Sequence, residues 1–282
     1  MNKDWCFIDT GHMNAAMNMA FDECLLNWHS QGKIPPVLRF YHWSKPSLSV
    51  GYFQRTKSIN FSGLEKHGCE FVRRLTGGSA VLHDDELTYS IVISESDPGI
   101  PKSVTKAYYV LCQGILEGYK NLGIDAEFAI PEREAERERS AICFEKPSFY
   151  EMVVGGKKIC GNAQTRKNGV LLQHGSLPLT QDADMLFDLF AFSTEEMRER
   201  RKKRFLGKAT TINEVTNRDI TYDDMKQAFK KGVENALGIR LSPLELSDAD
   251  WAEVKALAET KYGTDLWNYY TPKERESIGT AN

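Results

Sequence analysis

The sequence predicts an α+β fold, and three observations carry that reading. Residues 15–29 and 103–121 repeat their apolar side chains at the helical period, residues 87–94 alternate at the strand period, and from about residue 183 the pattern is mainly helical. In the first helix Met17, Phe21, Cys24, Leu25 and Trp28 form the apolar stripe, and Asn18, Asp22, Glu23 and Asn27 fill the other face. Pro35-Pro36 then breaks the chain before Val37–Trp43, an aromatic-rich stretch that reads as a strand. Leu48, Val50 and Tyr52 alternate with small or polar residues and give a second strand; another ends at Arg73. In the clearest strand Leu87, Tyr89, Ile91 and Ile93 face one way and Thr88, Ser90 and Ser94 the other, with Val92 the exception. The second long helix places Val104, Ala107, Tyr108, Leu111, Ile115 and Tyr119 on one stripe.

Residues 131–140 offer a core almost nothing and read as a solvated charged loop or short exposed helix, a flap beside the segment that follows. Residues 149–179 read as a β-meander, with Gly155-Gly156 and Asn168-Gly169 as tight-turn signals. Helices follow at 183–191, 194–205, 222–237 closed by Gly238, and 248–261. Thr221 with Asp224 and Ser247 with Asp250 are acidic versions of the helix-start box. No internal repeat or low-complexity linker divides the chain, so residues 1–245 are expected to form one domain, with 246–282 a helical extension packed on it.

Composition narrows the function classes. With 282 residues, 41% hydrophobic and 27% charged, the chain can bury a large core. A formal net charge of -3 supplies no global basic field for nucleic acid. No apolar run reaches the ~18 residues of a membrane helix. Met1–Trp5 lacks the apolar core of a signal peptide and Arg73-Arg74 is internal, so a cytoplasmic protein is expected. No Cys-x-x-Cys pair suggests a metal site.

Three segments are not explained by a core. The first is Arg73-Arg74-Leu75-Thr76-Gly77-Gly78-Ser79-Ala80-Val81-Leu82-His83-Asp84, where glycine backbone can approach a ligand and its N–H groups can cradle an oxygen. A lone Gly-Gly would be a hairpin turn; this string is too long and too polar for that. The second is Gly156-Lys157-Lys158-Ile159-Cys160-Gly161-Asn162-Ala163-Gln164. Its lysine is either a solvated charge blunting a sheet edge or, held over a pocket by the close backbone of Gly161, a group that polarises a carbonyl. The third runs from Ser140 to Glu151 and contains Cys143, which lies outside any periodic run. Cys24 and Cys112 sit within helices, and Cys6 and Cys69 beside strand residues, so each has an ordinary packing role that Cys143 lacks.

Together these segments resemble the lipoate branch of the biotin/lipoate protein ligase superfamily. The 73–84 string, Lys158-Ile159-Cys160-Gly161-Asn162-Ala163 and Gln173-His174-Gly175-Ser176 stand in that family's order and spacing, from the first helix to Trp267-Asn268-Tyr269. The resemblance implies a mixed or antiparallel β-sheet core flanked by helices. Within the branch the chain is most similar to the octanoyltransferases that use a cysteine upstream of the lysine motif. That implies transfer of octanoyl from acyl carrier protein, through a Cys143 thioester, to a lysine of the glycine cleavage H protein or another lipoyl domain. No cofactor is implied beyond the phosphopantetheine that delivers the acyl group, and neither metal nor nucleic acid nor membrane. Lys158 would hydrogen-bond the acyl carbonyl and lower the thiol from its ordinary value of about 8.5. Arg73, Thr76, Gly77, Gly78, Ser79, His83, Gly161, Asn162, Ala163, His174 and Gly175 would bind substrate.

The departures point away from ATP chemistry. Ser79 stands where the ligases have a third glycine, Ser148-Phe149-Tyr150-Glu151 where they have an Asn-Asp pair, and the sequence ends soon after Tyr270 where large ligases carry a further domain. The other octanoyltransferase type places its cysteine after the His-Gly motif, but His174-Gly175 is followed here by Ser-Leu-Pro-Leu. Cys160 is the rival nucleophile, being a neighbour of Lys158. The competing functions are an ATP-dependent lipoate–protein ligase, an octanoyl amidotransferase between lipoyl domains, and a non-catalytic lipoyl-domain-binding module.

Overall fold

A computed structural model describes residue 1, residues 3–129 and residues 151–279. The charged stretch 131–140 and Cys143 lie outside the described residues.

β1 (Asp4–Met13) leads into α1 (Ala15–Ser30), β2 (Val37–Trp43) and β3 (Ser47–Val50). α2 (Phe61–His67) precedes β4 (Glu70–Arg73), β5 (Val81–His83) and β6 (Glu86–Ser94). α3 (Val104–Asn121) and β7 (Glu127–Phe128) follow, then β8 (Met152–Val154), β9 (Lys157–Lys158), β10 (Gly161–Lys167) and β11 (Val170–Pro178). α4 (Ala183–Asp188), α5 (Glu195–Leu206), α6 (Ile212–Thr216) and α7 (Tyr222–Leu237) lead to β12 (Arg240–Pro243). The described chain closes with α8 (Asp248–Leu257), a π turn at Ala258–Tyr262, α9 (Asp265–Tyr269) and α10 (Pro272–Gly279).

The main sheet is mixed, in the order β10-β11-β6-β2-β1-β12. β1 pairs parallel with β2 and β12, and the remaining pairs are antiparallel. β1 escaped the alternation test because its register shifts between Asp9 and His12, which breaks the period of two. One face is covered by α3 and α7: Leu87, Tyr89, Ile91 and Ile93 pack with Leu111, Ile115, Tyr119, Phe229 and Val233. The other face is covered by α1 with α8 and the π turn, through Phe21, Leu25, Val92, Leu172, Val254 and Tyr262. A second sheet, β4-β3-β5, carries its own core with α2, α4 and α5.

Both capping boxes form, at Thr221–Asp224 and Ser247–Asp250, and Gly238 ends α7 in the left-handed conformation. Gly155-Gly156 and Asn168-Gly169 all have positive φ, as tight hairpin turns demand. The expected meander is divided, however: β8 pairs with β7 and β9 in a small separate sheet, whereas β10 and β11 join the main sheet. Ile159 and Cys160, both wholly buried, carry the chain from one sheet to the other. Tyr52 falls outside β3, and Val104 at the start of α3 is exposed. The larger correction concerns α1. Asn18, Asp22 and Glu23, expected on a polar outer face, are as buried as the apolar stripe. Partners contributed by distant strands and helices make that burial tolerable.

Candidate active site

The core polar groups converge on one cavity lined by the main sheet, α1 and the β4-β3-β5 sheet with its glycine loop. Asp22 accepts hydrogen bonds from Arg39 (2.8 Å), Ser90 (2.8 Å) and Tyr41 (3.3 Å), and its Oδ2 lies 3.1 Å from His174 Nδ1. Burial alone would raise the Asp22 carboxyl, but Arg39 and His174 hold it below its ordinary value. Burial pushes the His174 imidazole down, against the pull of Asp22. His174 Nε2 lies 2.7 Å from Thr76 Oγ1, which completes a hydroxyl–imidazole–carboxylate relay.

A second relay runs alongside. His83 Nδ1 lies 2.7 Å from Glu86 Oε1, and its Nε2 lies 2.8 Å from Ser49 Oγ. Thr88 and Ser176 also donate to Glu86, and Trp43 stacks on His83 with centroids 4.2 Å apart. Arg74 heads both relays. Its guanidinium donates to Thr76 Oγ1 (3.1 Å) and Ser49 Oγ (3.2 Å), and to the carbonyls of Gly77 (2.7 Å) and Ser79 (2.8 Å). One planar fork therefore fixes the glycine loop relative to both imidazoles.

The opposite wall comes from the β10–β11 ladder, whose register sets Gly161, Asn162 and Ala163 against Ser176, Gly175 and His174. Asn162 accepts from the Tyr89 hydroxyl (2.7 Å), and its side chain lies over Gly175, where a Cβ would come within 2.0 Å of Asn162 Oδ1. Any side chain at 175 would displace that amide. Met19, Tyr41, Trp43 and Val81 supply the apolar part of the lining.

Three positions before Gly161, Lys158 is 2% exposed, with Nζ 2.5 Å from Glu151 Oε1; Lys157 points to solvent. The Lys158 strand is held by the segment after α5: Lys158 N–H donates to Lys208 O (2.8 Å), and Thr210 N–H donates to Lys158 O (2.9 Å). Cys160 is wholly buried, and burial raises its thiol to about 11 even though Asn162 donates to the sulfur (3.2 Å). Burial likewise raises Cys24 to about 12, Cys69 to about 11, and Cys112 further still.

Of the residues picked from sequence, Gly78, His83, Gly161, Asn162, Ala163, His174 and Gly175 line this one cavity. Thr76 stands behind it through His174, and Gly77 and Ser79 meet it through Arg74. Lys158, in β9, is not among the lining residues and precedes the Gly161–Ala163 wall by three positions, and Cys143 is outside the described residues. Arg73 is not brought to this cavity. Its guanidinium turns away from the cavity and donates to the carbonyls of Gly51, Tyr52, Gln54, Trp267 and Asn268. Adjacent residues leaving a strand point to opposite sides, so Arg74 serves the cavity while Arg73 clasps the C-terminal helices. Ser49, Arg74, Glu86 and Asp22 escaped the sequence reading. Glu151 did too, yet the Gly155-Gly156 turn contained the signal: a hairpin pairing Val153 with Lys158 sets Glu151 diagonal to that lysine.

The sequence profile of the lipoyl protein ligase A/B catalytic domain matches residues 14–234. Proteins named octanoyltransferase LipM from Halalkalibacterium halodurans and Bacillus subtilis are 53% and 54% identical over 271 residues, covering 94% of this chain and 98% of each relative. The one from Staphylococcus aureus is 49% identical over 275 residues, covering 95% and 99%. Among solved structures, a bipartite lipoate protein ligase from Thermoplasma acidophilum shares the fold at a TM-score of 0.79 and 23% identity, covering 95% of this chain and 97% of that one. A lipoate-protein ligase A bound with ATP superposes at 0.74 with 25% identity, covering 95% and 99%. The mixed sheet flanked by helices, and the resemblance read from the motifs, are thereby borne out. The chain belongs to the lipoyl protein ligase A/B catalytic-domain family, and over nearly its whole length it is similar to the octanoyltransferases named LipM.

Proposed function

We propose that this chain is an octanoyltransferase of lipoate biosynthesis that carries the acyl group on Cys143. It takes octanoyl from octanoyl-acyl carrier protein and delivers it to a lysine of the glycine cleavage H protein or another lipoyl domain. The observation that carries the reading is the buried Lys158, fixed by Glu151 and three positions before the Gly161–Ala163 wall of a part-apolar cavity, in a chain half identical to octanoyltransferases.

Two acyl exchanges make up the reaction. The Cys143 thiolate adds to the thioester carbonyl, the bond to the carrier sulfur breaks, and the carrier thiolate leaves and takes up a proton. The neutral amine of the acceptor lysine then adds to the acyl-enzyme, the bond to the Cys143 sulfur breaks, and the amide forms as the nitrogen loses its proton. Lys158 donates to the carbonyl oxygen while negative charge develops there. His83, the Gly77–Ser79 loop and the 161–163 wall shape the carbonyl end, and the apolar lining holds the tail, worth up to ~0.8 kcal/mol per buried methylene. The chain needs no cofactor of its own, since the acyl group arrives on phosphopantetheine. The raised thiols of Cys24, Cys69, Cys112 and Cys160 support Cys143 as nucleophile, because a protonated thiol attacks slowly.

Intact mass after mixing with octanoyl-acyl carrier protein, without ATP, tests this. The wild type and Cys160→Ala gain one octanoyl group, and Cys143→Ser does not. A gain that requires free octanoate and ATP would establish a ligase instead. Octanoyl taken from a lipoyl-domain amide and not from the carrier protein would establish an amidotransferase.

A further inference from the structure

We infer that the exposed face of α5 is the docking surface for the carrier protein of the acyl donor, and that it engages that protein's acidic surface and the phosphate of its arm; this rests on the function proposed above. Residues 195–208 hold seven cations against three carboxylates, a local excess of four in a chain whose formal net charge is -3. Arg198 is tied to Asp188, Glu195 and Glu199, and Lys202 to Asp184. The side chains of Arg200, Arg201, Lys203 and Arg204 are exposed and form no ion pair with any described residue. Four uncompensated cations within five positions repel one another, and an acidic partner relieves that repulsion. Leu206, 43% exposed, adds an apolar contact beside them.

The position of this face matters as much as its charge. α5 is anchored by the buried Phe205 and runs directly into Lys208–Thr210, the segment that holds Lys158 through both its N–H and its carbonyl. Arg204 to Arg200 lie four to eight positions before Lys208, about 6–12 Å along the helix axis at 1.5 Å per residue, so a partner seated on them is set back by about that much from the segment that holds Lys158. An extended phosphopantetheine arm has 13 bonds from phosphorus to sulfur and reaches roughly 15 Å, whereas a lysine side chain reaches only about 6 Å from its own backbone. The distance therefore suits the long-armed donor over the lysine acceptor, and the arm's phosphodiester adds an anion for the cations to hold.

The test is the triple variant Arg201→Glu, Lys203→Glu, Arg204→Glu in the full chain, with acylation followed by mass in a single turnover. The concentration of octanoyl-acyl carrier protein giving half-maximal acylation should rise about tenfold or more, and its dependence on salt should flatten. Acylation by octanoyl-pantetheine, which lacks both protein and phosphate, should not change, nor should transfer from preformed acyl-enzyme to a lipoyl domain. The inference is overturned by an unchanged carrier-protein dependence, by a loss confined to the lipoyl-domain step, or by an equal loss with octanoyl-pantetheine. The alanine triple variant at the same positions, expected to give a smaller shift in the same direction, guards against damage from charge reversal. A wild type that the carrier protein cannot acylate would refute the proposed function itself.

Discussion

Lys158 and Glu151 meet across the Gly155-Gly156 hairpin, with 2.5 Å between Nζ and Oε1, at a point where the lysine is almost entirely out of water. An ion pair so placed is costly to assemble, and removing one partner takes away a counter-charge the other depends on. Lys158→Ala should therefore lower the melting temperature as well as activity. Lys158→Met with Glu151→Gln removes both charges and should recover much of the stability, yet transfer should stay down on the order of 100- to 1,000-fold. Lys157→Ala, at an exposed neighbour, should leave both unchanged. Recovery of transfer in the double variant would reduce the pair to a structural role.

The buried thiols predict a pattern of alkylation. A thiol raised to about 11 is roughly one part in a thousand thiolate at pH 8, and at the buried Cys24, Cys112 and Cys160 burial blocks the reagent further. Peptide mapping after a short iodoacetamide pulse should find Cys24, Cys69, Cys112 and Cys160 unmodified in the folded chain and modified in urea. Rapid native labelling of Cys160 would reopen its candidacy as the nucleophile.

Arg73 and Arg74 should fail differently when replaced. Arg73 clasps carbonyls from two chain segments, including Trp267 and Asn268, so Arg73→Met should cost several kcal/mol of stability through unsatisfied carbonyls. Arg74 links the two relays and the glycine loop, so Arg74→Met should lower kcat/KM by tenfold or more, roughly 1.4 kcal/mol, with a smaller shift in melting. Lysine should rescue neither, because it lacks the planar fork. Matching losses of stability in both variants would contradict the division.

Stability should fall on the acid side. Burial lowers both His174 and His42 below the ordinary histidine value of 6.5. The unfolded chain then takes up protons that the folded chain refuses, so stability is full above about pH 6.5 and is lost as pH falls through that value toward the lower folded ones. Thermal melts between pH 7.5 and pH 5 should show this decline, and His174→Gln should make it shallower. A flat profile would mean that both histidines protonate freely in the folded state.

Local order, and much of the cavity wall, can be read directly from the amino-acid letters. Positive-φ turns at Gly155-Gly156 and Asn168-Gly169 fix hairpin register, and register alone sets Asn162 against Gly175 and Glu151 near Lys158. Helix periodicity, the two capping boxes and the alternation in β6 were legible for the same reason: each depends on residues a few positions apart. Only the tertiary structure decided which charges go inside. Asp22 looks like a solvent residue on α1 until Arg39 and His174, 17 and 152 positions away, are brought against it. Arg73 and Arg74 are indistinguishable as letters, and their roles diverge because one side of the strand end meets the C-terminal helices and the other meets Ser49 and Thr76. Periodicity records that a side chain is polar. Whether that polarity faces water or a partner depends on elements far along the chain, because a buried charge is tolerated only where the fold supplies its counter-charge.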